Sequence, residues 1–191
     1  METLLIKNLI VYVDYQATQW HPITMNETQM TLGRDWDGRD VSGWLASEKY
    51  DGCRAYWDGS TLWTRDGNVI CAPKWFTDGL PATHIDGEIW AGRGKFEEAK
   101  AAVQQGTFTD SIRFMAFDAP QASGDWACRM ATIPATMTME PVQYFAVTNV
   151  EQMREMFATV KQGGGEGLML RDTRCAMYEY GRTNKLLKVK K

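Results

Sequence analysis

The stretch Ser47-Glu48-Lys49-Tyr50-Asp51-Gly52-Cys53-Arg54 decides how the rest of the chain is read. It alternates as an extended strand does and then meets a glycine. With a period of two, Ser47, Lys49 and Asp51 project to the same side. A lysine beside an aspartate is also what an ordinary surface ion pair looks like, so its company matters. Downstream, Ala55-Tyr56-Trp57 and Thr61-Leu62-Trp63 flank Asp58-Gly59, which predicts a β-hairpin. Short strands are predicted at 85–90, 112–117, 142–147, 167–171 and 185–190. Two helices are predicted. One runs over about 95–105 and stops at Gly106. The other starts at Asn149, with Gln152 placed for a capping box and Val150, Met153, Phe157 and Val160 on one face, and it ends in Gly163-Gly164-Gly165.

The chain has 191 residues, 44% of them hydrophobic, with eight Trp and seven each of Tyr and Phe, enough for one substantial core. The first 25 residues can be a loosely attached extension, and no stretch approaches the length of a membrane span. The N-terminus, with Glu2 and Lys7, does not read as a signal peptide. Cys53, Cys71, Cys128 and Cys175 form no CxxC pair, so free thiols are expected rather than a zinc site. Net charge is −3, yet the segment from Arg171 to Lys191 carries +5, leaving −8 elsewhere. A polyanion would meet a local basic surface, although a solvated basic tail reads the same way.

Four further segments give the opening lysine its context. They are Thr64-Arg65-Asp66-Gly67, Asp86-Gly87-Glu88, Glu166-Gly167-Leu168-Met169-Leu170-Arg171 and Lys188-Val189-Lys190. Each alone is common by chance, but their order and spacing together are specific. The series KxDGxR, S/T-R-x-G, DGE, EGxMxR and KxK resembles the signature of covalent nucleotidyltransferases, the superfamily of DNA ligases, RNA ligases and mRNA capping enzymes. Over about residues 30–191 the strings SEKYDGCRAYWDG, IDGEIWAGRGKFE, GGEGLMLRD and GRTNKLLKVK look most like the minimal bacterial and phage-type ATP-dependent DNA ligases.

The resemblance implies an α+β fold, ATP-grasp-like, in which antiparallel sheets with flanking helices surround a nucleotide cleft. It implies a single adenylation domain over 1–191, ending before the OB-fold domain that such ligases carry, and hence slow self-adenylation. Lys49 would be the nucleophile that receives AMP from ATP, a chemistry that needs an uncharged amine at the moment of attack. Lys188 and Lys190 would grip the α-phosphate, and Glu88 would hold the ribose. Phe117 would stack on adenine, with Ser47 and Glu48 also at the nucleotide. Glu166, with Glu88, would serve Mg²⁺. Arg54, Arg65 and Arg171 would contact DNA, Arg54 also bordering the nucleotide; an arginine fork can hold two phosphate oxygens at once. The implied partners are ATP and nicked duplex DNA, with no membrane, for a cytoplasmic monomer of a bacterial or phage-infected cell. An RNA ligase, a capping-type enzyme or a non-catalytic nick-binding module would share most of these features. Asp35-Trp36-Asp37-Gly38-Arg39-Asp40 lacks the closing glutamate of an EF-hand loop, and Gly92-Arg93-Gly94 reads as a turn.

Overall fold

A computed structural model of the chain describes residues 30–174 and 177–190, together with the backbone of two short paired strands, β1 (Leu4–Ile6) and β2 (Leu9–Val11). Most of the expected N-terminal extension, Cys175 and Lys191 lie outside the described residues. The remaining elements are β3 (Thr31–Asp35), β4 (Leu45–Lys49), β5 (Cys53–Trp57), β6 (Leu62–Thr64), α1 (Lys74–Thr77), β7 (Ile85–Trp90), α2 (Phe96–Gln105), β8 (Arg113–Asp118), α3 (Trp126–Ala131), β9 (Met139–Pro141), β10 (Tyr144–Ala146), α4 (Val150–Gln162), β11 (Gly167–Arg171) and β12 (Gly181–Val189).

Two five-stranded sheets carry the fold, in the orders β10-β4-β11-β12-β3 and β6-β5-β7-β8-β9. Most neighbours are antiparallel, but β12 pairs parallel with β3, and β8 with β9. The expected antiparallel sheets therefore each include one parallel pair. A parallel neighbour needs a crossover long enough to bring the chain back, and the segment containing α3 supplies it between β8 and β9.

The motif strand is corrected. β4 ends at Lys49, and β5 belongs to the other sheet. Ser47 and Lys49 keep a common face, whereas Asp51 lies exposed in the bend between the sheets. Gly52 marks the crossing: a Cβ there would come 2.2 Å from the Ile89 carbonyl oxygen and 2.9 Å from Glu88 Cγ. Any side chain would push β5 away from β7.

Local chemistry explains the elements that frame this crossing. The hairpin between β5 and β6 pairs Trp57 with Leu62, so its loop has four residues rather than two. Asp58 organises that loop by accepting from the Ser60 and Thr61 amides and from the Trp63 indole. Helix α2 ends as expected, at Gly106 with φ 70°. In α4 the Asn149 side chain accepts from the Gln152 amide at 2.8 Å, but the Gln152 side chain takes the Thr148 amide and hydroxyl, so the expected reciprocal box is displaced by one residue. Short α1 and α3 were not expected. With four and six residues they span less than two turns, too few to display a helical period.

Each sheet has its own core. Ala55, Trp57, Ile85, Ile89 and Phe114 pack the second sheet onto α1, α2 and α3, with Phe76 and Ala99 fully buried. Ala46, Leu168, Leu170, Leu187 and Val189 pack the first sheet onto α4 through Met153, Phe157 and Val160. A side chain the size of Phe114 contributes about 2–3 kcal/mol by leaving water. The faces left over look at each other. No described helix is long and apolar enough to cross a membrane.

Candidate active site

Alternation along β4 sends Ala46 into the α4 core and turns Ser47 and Lys49 toward the opposite sheet. The register sets Lys49 opposite Gly167 and Ser47 opposite Met169, and β12 sets Lys188 opposite Met169. One wall therefore carries Ser47, Lys49, Met169 and Lys188, with Lys190 two residues further along. The facing wall is the second sheet, where Arg54 pairs in register with Glu88. The β7–β8 register slips between Asp86 and Gly87, and such a slip re-aims side chains. It lets the consecutive residues Phe117 and Asp118 both serve this face. Between the walls lies a cleft of about 790 Å³ bordered by Ser47, Lys49, Arg54, Arg65, Glu88, Phe117, Lys188 and Lys190.

Where the cleft adjoins a smaller pocket bordered by Glu166, the Lys49 ammonium donates to Glu166 Oε2 at 2.5 Å, with both side chains largely shielded from solvent. Glu166 reaches that point because Gly167 lies against Lys49. A Cβ on Gly167 would stand 2.1 Å from the Val189 carbonyl oxygen, so only glycine lets β12 close in. Glu88 lies deep in the cleft. Burial pushes its carboxyl up to about 7, although the charges of Arg54 and Lys49 pull it down. Lys188 bonds Asp35 at 3.2 Å, which holds that carboxyl below the usual range.

The arginines behave differently from one another. Arg54 forks onto Asp86 at 2.9 and 2.6 Å, and its guanidinium stands 5.0 Å from the centre of the Phe117 ring. Asp86 also accepts from the Tyr178 hydroxyl at 2.5 Å, and that oxygen accepts from the Thr31 amide. Arg54 is thus a fixed part of the cleft floor beside the ring. Arg65 is exposed on the rim. Arg171 departs from expectation. Its side chain is 12% exposed, approaches Asp118 at 3.4 Å and stacks over Trp126 at 4.7 Å, while Asp118 also receives a buried fork from Arg129. Arg171 ties one sheet to the other from inside and borders the cleft, so the structure places this expected DNA contact on the cleft's inner wall rather than on the exposed rim.

Glu48 borders the cleft as well. Its carboxylate turns to the face of β4 away from Lys49, where Arg93 clamps it at 2.9 and 2.8 Å. Arg93, Asp118, Arg129 and Tyr178 were not anticipated as parts of the site. Arg93 had one visible signal, its position between two glycines that turn the chain with φ 116° and 72°. Cys53, Cys71 and Cys128 are free, as expected.

No protein-family model matches the chain. It is 31% identical over 173 residues to a DNA ligase of Haemophilus influenzae, an overlap of 85% of this chain and 63% of that protein, so the chain spans less than two thirds of that relative. Among solved structures, a Lig E DNA ligase matches with 35% identity and a TM-score of 0.74 over 85% of this chain and 68% of its own. The Chlorella virus DNA ligase-adenylate has the same fold, with a TM-score of 0.72 at 21% identity over 86% of this chain and 67% of its own. Sequence similarity to DNA ligases and likeness of fold to solved DNA ligase structures agree. The chain belongs to the DNA ligase family.

Proposed function

We propose that the chain seals 5′-phosphate/3′-hydroxyl nicks in duplex DNA by way of AMP bound covalently to Lys49. The observation that carries this reading is the Lys49–Glu166 pair at 2.5 Å at the border of a cleft that also holds Glu88, Phe117, Lys188 and Lys190. An amine, an acceptor for its proton, an aromatic face and two cations are what transfer of a nucleotidyl group to nitrogen requires.

Three in-line displacements follow. Lys49 gives up a proton, to Glu166 or to solvent, and its nitrogen attacks the α-phosphorus of ATP; the P–N bond forms as the P–O bond to pyrophosphate breaks. A 5′-phosphate oxygen at the nick then attacks the same phosphorus, the P–N bond breaks, and Lys49 regains a proton. Finally the 3′-hydroxyl attacks the 5′-phosphorus, loses its proton, and AMP departs. Phe117 would stack on adenine, Ser47 would meet its edge, and Glu88 would accept from the ribose hydroxyls. Lys188 and Lys190 would hold the α-phosphate, while Arg65 on the rim and Arg54 beneath it would receive the nick phosphates.

Mg²⁺ suits this donor set. The ion characteristically keeps waters and binds through one or two carboxylates plus substrate phosphates. Glu88 and Glu166 could supply the carboxylates, and among the described residues no cluster of three or more His, Cys, Asp and Glu exists to cage an ion by itself. When bound, Mg²⁺ would neutralise charge on the phosphoryl oxygens.

The test is a 5′-labelled nicked duplex incubated with ATP and Mg²⁺. Conversion of the labelled strand to sealed length, lost in Lys49→Ala, is expected. Sealing of nicked RNA but not DNA, labelling by GTP rather than ATP, or nick binding without any turnover would replace this reading.

A further inference from the structure

We infer that Arg93 is a positioning residue for the adenylation step, fastening the strand that carries Lys49 to the turn that presents Glu166. The inference rests on Lys49 being the nucleophile. Arg93 lies in the Gly92-Arg93-Gly94 turn between β7 and α2, on the sheet opposite Lys49. Its Nε and Nη2 donate to the two carboxylate oxygens of Glu48 at 2.9 and 2.8 Å. Its Nη1 donates to the Gly163 carbonyl, at the end of α4, at 3.0 Å. One guanidinium therefore joins three segments: the β7–α2 turn, β4 and the α4–β11 turn.

The glycine run after α4 takes on a second meaning here. Only Gly164 of the three has positive φ, at 81°. Gly163 and Gly165 are instead short of space. A Cβ on Gly163 would stand 2.2 Å from Arg93 Nη1, and one on Gly165 would stand 2.9 Å from Glu48 Oε1. The ion pair is pressed into the room these glycines leave.

The lock's two ends lie close in sequence to the reacting pair. Glu48 directly precedes Lys49, and Gly163, whose carbonyl accepts from Arg93, lies three residues before Glu166. Glu48 and Lys49 point to opposite faces of β4, so the lock holds the strand from behind while Lys49 works in front. Attack on phosphorus is sensitive to displacements of about 1 Å, and a loosened strand would spoil alignment more than nucleotide binding. The task needs arginine. A planar fork reaches both carboxylate oxygens and a carbonyl at once, whereas a lysine offers a single point charge.

The experiment follows single-turnover adduct formation from α-labelled ATP for wild type, Arg93→Gln, Arg93→Lys and Glu48→Gln, with thermal denaturation confirming that each is folded. Arg93→Gln and Glu48→Gln should lower the rate at saturating ATP by ~10- to 100-fold, with the half-saturating ATP concentration changing less than ~3-fold. Arg93→Lys should not restore the rate. A wild-type rate in Arg93→Lys, or a loss confined to ATP binding, overturns the inference. A second measurement does not depend on turnover. Brief acylation with an activated ester, mapped by mass spectrometry, compares Lys49 with exposed Lys74. In Arg93→Gln the Lys49 to Lys74 labelling ratio should change several-fold, and an unchanged ratio overturns the inference. Failure of the underlying reading looks different: wild type forms no adduct, or Lys49→Ala still forms one, while the labelling comparison continues to report on the lock.

Discussion

Glu88→Gln should stabilise the nucleotide-free protein at alkaline pH while damaging its function. Burial pushes the Glu88 carboxyl up to about 7 from an ordinary 4.5. Below pH 4.5 the group is neutral whether the chain is folded or not. Between 4.5 and about 7 the folded state holds a proton that the unfolded state has released, so stability falls as pH rises through this window. Each pH unit across it is worth about 1.4 kcal/mol, which gives a cost of about 3 kcal/mol by pH 8. Glutamine keeps the shape and never ionises, so the variant escapes that cost. For a domain of this size, 3 kcal/mol corresponds to a rise of about 6–12 °C in melting temperature. The assay compares melting or urea curves of the two proteins at pH 5, 6.5 and 8 without nucleotide. The difference should be small at pH 5 and grow to favour the variant at pH 8; other titrating groups largely cancel in the comparison. A difference that stays flat with pH, or a variant that is less stable at pH 8, refutes the reasoning.

The remaining predictions concern the walls of the cleft. Arg65→Ala should weaken binding to nicked duplex and reduce the slope of log affinity against log salt by about one. Arg171→Ala should leave that slope unchanged and instead cost about 2–4 kcal/mol of stability in denaturant melts, because Asp118 keeps only part of its buried partnership. Gly167→Ala should lower the melting temperature steeply or prevent folding, since its Cβ would meet the Val189 carbonyl oxygen at 2.1 Å. Lys188→Ala should slow adduct formation by about 100-fold through loss of a phosphate donor, whereas Asp35→Ala, which removes only an exposed partner of that lysine, should stay near wild type in the same labelled-ATP assay.

What could be read from the residues alone follows from how local each signal is. Gly167–Arg171 is legible as a short apolar run that follows a glycine turn, and α2 and α4 are legible because Gly106 and Asn149 mark their ends. β3 was missed since Thr31-Leu32-Gly33-Arg34-Asp35 neither alternates nor is apolar, and it becomes a strand only by lying beside β12. The first half of β12, Gly181 to Asn184, is polar for the same reason. In the site, period-two reasoning placed Ser47 with Lys49 but carried Asp51 too far, because nothing local shows that the chain changes sheets at Gly52. Arg171 looked like a surface cation because its partner, Asp118, lies 53 residues away. Lys49 and Glu166 are separated by 117 residues, and family resemblance, rather than spacing, brought them together in advance.

The central claim concerns one nitrogen. Incubation with α-labelled ATP and Mg²⁺, followed by denaturing electrophoresis and peptide mapping, should give an acid-labile AMP adduct on the peptide containing Lys49 and none in Lys49→Ala. An unlabelled wild-type protein, or AMP carried on any other residue, would contradict the account.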